Sequence, residues 1–229
     1  SYVPAAGPDG VVTQYPEGRF TDEQQRELLH GYHASVSFID SLLAELLQEL
    51  EKTGQADNTI IVLWGEHGWH LGDNGMWVKH TTMEQANRVP LLIRVPGKAG
   101  GHASTLVELL DLFPTLADLA GLKTPEALQG KTLRAVLDDA DKDLGGVAIS
   151  QYKRKGAYGY SMRTDRYRYT EWVKPDGTVA YRDLYDMQED PGETRNIGAL
   201  PENDEIMREM ALLLRKNGAG LKRLKDWKE

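Results

Sequence analysis

Leu28, Tyr32, Val36, Ile39, Leu42, Leu43, Leu46, Leu47 and Leu50 recur at three- and four-residue steps, the spacing of one face of a long amphipathic helix. Thr21 stands at the N-cap position, Gln24 follows as in a capping box, and Asp22 and Glu23 suit the positive helix end. Lys52 and Gly54 mark its close. Residues 59–64 and 89–95 are short apolar runs rich in branched side chains. Each predicts a strand buried on both faces, as in a parallel sheet covered by helices. Residues 106–110 and 115–120 predict two helical pieces parted at Pro114, the second stopped by Gly121.

From residue 147 the pattern changes to short aromatic-rich strands at 147–152, 158–163, 167–173 and 179–185. Thr164-Asp165-Arg166 and Lys174-Pro175-Asp176-Gly177 supply turns, which predicts an antiparallel meander. Ile206, Met210, Leu213 and Leu214 then mark a helix over about residues 202–216, ended by Gly218, that covers one face of this sheet. The expected class is α/β: a helix-covered mixed or parallel sheet, then a small antiparallel four-stranded sheet with a C-terminal helix. The expected boundaries are a Pro- and Gly-rich lead-in loop at 1–20, an α/β part at 21–140, and a small α+β part at 141–229.

Composition removes several functions. No cysteine is present among the 229 residues, so disulfides, thiolate metal sites and cysteine nucleophiles are excluded. A net charge of −8 argues against nucleic acid as a partner, and no apolar run reaches the ~18 residues of a membrane span. The chain starts at Ser1, and its first twenty residues carry no apolar signal-peptide core.

Residues 65–88 lie between the two apolar runs, with glycines at 65, 68, 72 and 75. Four of the six histidines, at 67, 70, 80 and 102, lie in or just beyond this segment. An irregular segment after a buried strand is where open α/β sheets place ligands. Glu66 and His67, side by side at a strand end, can both reach a divalent cation, with Ca²⁺ or Mg²⁺ suited by the oxygen and Zn²⁺ or Mn²⁺ left open by the nitrogen. Two ligands complete no coordination shell. Lys79 offers a point charge to a sulfate or phosphate. Taken singly, Lys79 reads as a solvated lysine, and Trp69, Trp77 and Met83 as packing residues. Residues 153–182 hold eight basic against three acidic side chains, either a guide for a polyanionic sugar or a solvated hairpin surface.

The string from Trp64 through Glu66, His67, His70 and Gly72, followed by Trp77-Val78-Lys79-His80-Thr81, resembles the second-half metal motif of type I sulfatases. These belong to the alkaline-phosphatase-like superfamily, and the iduronate-2-sulfatase branch is the most similar. Arg88-Val89-Pro90-Leu91, Asp111-Leu112-Phe113-Pro114-Thr115, Leu184-Tyr185-Asp186-Met187 and the stretch from Asp190 to Asn196 continue the resemblance in family order. It implies a sulfuric-ester hydrolase that uses calcium and a formylglycine, acting on a sulfated carbohydrate such as a 2-O-sulfated uronate of a glycosaminoglycan. It also implies metal ligation by Glu66 and His67, catalytic roles for Lys79 and His80, and substrate contacts from Lys79, His70 and Trp77. A periplasmic, extracellular or lysosomal-type compartment is implied as well.

Glu66 replaces the family's usual Asp, Asp73-Asn74 stand for Glu-His, and Thr82-Met83 stand for Asn-Phe. The nucleophile string (Cys or Ser, any residue, Pro or Ala, any residue, Arg) does not occur, nor do the paired aspartates of the enzyme's start. The chain therefore resembles a C-terminal portion. Its expected partner is the N-terminal portion carrying the formylglycine and remaining metal ligands, without which it is inactive; self-association is a second way to cover its apolar surface. The alternative is a non-catalytic sulfatase-like binding or assembly module, and a phosphatase or phosphonate hydrolase of the same superfamily is a third reading.

Overall fold

The structure is a computed structural model that describes residues 20–154 and 156–218. The expected lead-in loop lies outside the described residues except for Phe20. Contacts divide the chain into two compact units: residues up to His80 with Glu84–Ala99, and Thr81–Met83 with residues from Gly100 onward. The sequence boundary near residue 140 falls inside the second.

In the first unit, helix α1 (Asp22–Lys52) starts at the expected capping box: Gln24 N donates to Thr21 Oγ1 at 3.3 Å and Thr21 N to Gln24 Oε1 at 2.8 Å. Its apolar stripe is present but uncovered by the described residues. Val36, Phe38, Ile39 and Leu46 are all more than half exposed. Strands β1 (Ile61–Trp64) and β4 (Leu91–Arg94) pair with Ile61 opposite Arg94 and Trp64 opposite Leu91. This pairing is antiparallel, and Trp64 and Leu92 are exposed, so the parallel neighbour and two-sided burial expected from the apolar runs are not found among the described residues. Parallel neighbours need a crossover, usually a helix; here the connection holds only the one-turn helix α2 (Glu84–Asn87) and a small hairpin, β2 (His70–Leu71) with β3 (Trp77–Val78). No described helix is long and apolar enough to cross a membrane.

In the second unit, helix α3 (Leu112–Leu119) runs through Pro114 instead of beginning after it. Pro114 is the third helical residue, where an N–H has no intrahelical partner to lose. The preceding Leu109–Asp111 is a 3₁₀ turn. The buried Asp111 carboxylate accepts from the amides of Glu108 (3.0 Å) and Lys131 (2.9 Å), and Thr115 Oγ1 accepts from Leu133 N at 2.9 Å. The Asp111–Thr115 string is thus a bracket fixing the chain around residue 131 ahead of helix α4 (Arg134–Asp138).

The four-stranded meander is as expected: β5 (Ala148–Arg154), β6 (Ala157–Arg163), β7 (Tyr167–Val173) and β8 (Val179–Asp186), each antiparallel to the next. Trp172 lies over Gly159, its cross-strand partner, where a Cβ would come within 2.9 Å of the indole. Helix α5 (Asp204–Asn217) buries Met210 and Leu214 with Tyr160, Met162, Tyr169, Val173 and Leu184. At the rim of this core the buried Glu171 carboxylate accepts from Tyr169 Oη (2.7 Å), Arg182 Nε (3.2 Å) and Arg215 Nη2 (3.0 Å), tying the helix to β7.

A second buried carboxylate, Glu193, meets the Arg168 guanidinium at 2.7 Å with side-chain exposures of 0% and 5%. Arg168 Nη1 also donates to Thr82 O (3.3 Å) and Ser161 Oγ (3.2 Å), fastening residues 81–83 to β6 and β7. Removing one partner of a buried pair strands the other charge. Arg168→Leu should therefore lower unfolding free energy by about 3–5 kcal/mol, and Arg182→Ala, at a side chain that is 43% exposed, by about 1 kcal/mol or less. Urea unfolding followed by tryptophan fluorescence checks both; equal losses would contradict the assignment.

Candidate active site

Strand β1 ends at Trp64, where Gly65 N donates to Pro90 O at 3.0 Å, and the chain then turns through Glu66-His67-Gly68. Gly68 N donates to Ala86 O at 2.8 Å, and a Cβ on Gly68 would lie 1.9 Å from the carbonyl oxygen of Gln85. Only glycine fits this crossing. It fixes His67, whose Nδ1 lies 2.9 Å from Gly68 O. A carbonyl can only accept, so this geometry assigns the proton to Nδ1 and leaves the Nε2 lone pair available. Lys79 Nζ takes that lone pair, donating to His67 Nε2 at 2.6 Å. The Glu66 carboxylate lies 3.8 Å from the same nitrogen and is 90% exposed.

The structure thus brings Glu66, His67 and Lys79 together. The other residues singled out in the sequence sit differently. His80 is exposed, next to Lys79 in the chain. Trp77 packs edge-on against Phe20 (5.3 Å between ring centres) and over Gly72, which makes it a hairpin anchor. His70 is fully buried in strand β2, opposite Val78. A side chain with no exposed surface supports the hairpin from beneath, a correction to its expected role in direct substrate contact. Asp73-Asn74 form the hairpin tip, with Leu71 N donating to Asp73 Oδ2 at 3.0 Å.

The sequence reading missed this hairpin, although Asp73-Asn74-Gly75 between His70-Leu71 and Trp77-Val78 is a turn signal between short strand-like pieces. It also missed Val78, which has a φ of 71°. Three arginines of the basic stretch 153–182 are paired with carboxylates: Arg166 with Asp186 (2.8 Å), Arg168 with Glu193 and Arg182 with Glu171. The structural reading of those arginines prevails. The stretch from Asp190 to Asn196 is structural too, with Arg195 N donating to Asp190 Oδ2 (2.8 Å) and Leu184 N to Asn196 Oδ1 (3.0 Å).

Among the described residues no three His, Asp or Glu side chains converge as metal ligands. The chemistry of Glu66 and His67 still fits part of a divalent-cation shell: an accessible carboxylate beside an imidazole whose tautomer leaves Nε2 as the donor. Lys79 must release Nε2 before that nitrogen can ligate.

Residues 4–122 match the family model described as Sulfatase, and residues 65–219 match that described as N-sulphoglucosamine sulphohydrolase, C-terminal. The chain belongs to the sulfatase family. Mouse iduronate 2-sulfatase is 31% identical across 80% of this sulfatase chain and 46% of the relative. The structure of BT4656 in complex with its substrate D-glucosamine-2-N,6-O-disulfate superposes with a TM-score of 0.78 at 28% identity, over 95% of this chain and 44% of that one. A phosphonate monoester hydrolase from Silicibacter pomeroyi gives 0.77 at 27% identity, over 92% and 45%. The chain spans less than half the length of each of these three proteins.

Burial lowers the His70 pKa below its ordinary 6.5, only partly opposed by Asp73. The neutral native histidine therefore contributes stability above the unfolded-state pKa, which is lost as falling pH protonates the unfolded chain. Unfolding free energy should drop as the pH falls below about 6.5, by at most about 1.4 kcal/mol per pH unit from this group. His70→Gln should flatten that slope in urea titrations; an unchanged slope would assign the effect elsewhere.

Proposed function

We propose that this chain carries one wall of a sulfuric-ester hydrolase site acting on sulfated sugars, of which a 2-O-sulfated uronate residue is the expected type. The observation that carries the reading is the Lys79 ammonium held against His67 Nε2 beside the Glu66 carboxylate, at the end of strand β1. In this reading Glu66 and His67 hold part of a calcium shell, and the remaining ligands come from an N-terminal sulfatase portion outside these 229 residues. When bound, calcium supplies Lewis-acid polarisation, and a formylglycine in that other portion supplies the nucleophile.

This chain's own residues bind and orient. Lys79, once off His67, places a point charge where sulfate oxygens gain negative charge, an electrostatic contribution that grows as water is excluded. Gly68 O keeps the His67 proton on Nδ1, so the ring presents its lone pair. In this reading His80, exposed beside Lys79, contacts the leaving sugar oxygen. Glu66 carries one methylene more than the family's usual Asp, and its exposure gives the longer arm room to reach a cation.

Lys79 would bind a phosphonate as readily as a sulfate, and likeness to a phosphonate monoester hydrolase keeps that substrate in the test. The experiment is co-expression with a sulfatase N-terminal portion bearing formylglycine, followed by assay on sulfated uronate disaccharides and on phosphonate monoesters. The expected result is sulfate release, lowered in kcat by about 10²–10³-fold in Lys79→Ala and changed by less than about threefold in Glu66→Asp. A folded, formylglycine-bearing complex that leaves every sulfate ester intact overturns the reading. Cleavage of phosphonates alone would move the chain to that class, and activity gained only on Glu66→Asp would favour the non-catalytic module.

A further inference from the structure

Val78 has a φ of 71°, in the left-handed region where a β-branched residue is an outlier that persists only if its surroundings over-determine it. Those surroundings are on one side of it. The β2–β3 hairpin pairs His70 with Val78 and Leu71 with Trp77. Gly72 N donates to Met76 O at 2.9 Å. The Trp77 indole is fixed edge-on against Phe20 and over Gly72, and His70 beneath is fully buried. The chain is thus held up to Trp77, and the next soft dihedral belongs to Val78.

Side chains two apart in a regular strand share a face. With an extended Val78, Lys79 would follow Trp77 toward Phe20 and Gly72. The left-handed residue between them breaks that alternation and sends Lys79 to His67 instead, Nζ to Nε2 at 2.6 Å. We propose that Val78 is a positioning residue, whose left-handed backbone, imposed by the hairpin, aims Lys79 at His67. The inference deepens the sulfatase reading of Lys79 and rests on it for its bearing on catalysis, though not for its geometry.

Val78→Gly removes the restraint, since glycine adopts either sign of φ; Val78→Asn tolerates the left-handed conformation. In the full chain, hydrogen exchange of the Lys79 ammonium, read by nitrogen-resolved NMR, reports the contact with His67. The expected result is slow exchange in the native chain and in Val78→Asn, and exchange faster by about tenfold or more in Val78→Gly, with a thermal midpoint no lower than the native one. A residue that merely supported the hairpin would instead lose midpoint and contact together. Slow exchange retained in Val78→Gly, or lost equally in both variants, overturns the proposal. In the assembled enzyme Val78→Gly should also lower kcat by on the order of 10- to 100-fold. If the native assembly proves inactive, the sulfatase reading fails while the NMR result still decides the role of Val78.

Discussion

The main chain at Gly68 lies so close to Gln85 that the site's geometry follows from the contact: a hydrogen bond to Ala86 O draws the two segments together and no side chain separates them. Next to that crossing His67 turns its Nδ1 toward the adjacent carbonyl, which assigns the tautomer and leaves Nε2 facing Lys79. Chemistry at Nε2, whether with an ammonium or a cation, is therefore set by backbone packing before any ligand arrives. Glu66 is the opposite case, since nothing comparable restrains it and its exposed carboxylate is free to adapt.

Much of the fold was legible because its signals are local. The capping box of α1, the meander with its two turns and the stop at Gly218 each occupy a few consecutive residues whose chemistry allows one conformation. The pairing of β1 with β4 was not legible, because an apolar run states that a strand is buried and says nothing of its neighbour's direction. The Glu66–His67–Lys79 grouping was readable from glycine spacing after a strand, helped by the family resemblance. The backbone at Val78 was not, since no residue type announces a conformation it disfavours. Nor could the sequence separate Arg168 from its basic neighbours: its buried partner Glu193 is brought to it only by the folded sheet.

Glu171 and Glu193, two of the buried carboxylates of the second unit, divide the labour of holding its sheet. Glu171 gathers Tyr169, Arg182 and Arg215 around the seam between sheet and helix, whereas Glu193 and Arg168 secure residues 81–83, which follow directly on Lys79 and His80 in the chain. At Glu171 a costly buried charge is tolerated because its oxygens accept from several directions, and at Glu193 because the opposite charge of Arg168 lies against it. Three of the basic side chains counted along the sequence, Arg166, Arg168 and Arg182, are in this way paired inside the unit.

Each of β6, β7 and β8 pairs with the strand that precedes it in the chain, so each pairing closes only a short loop and loses little chain entropy in doing so. Pairings between consecutive strands are more local than pairings between distant ones, which favours faster formation. β1 and β4, by contrast, enclose some two dozen intervening residues, a longer loop to close. The residues bearing the reactive groups therefore sit in a loop whose closure costs more chain entropy than any turn of the meander.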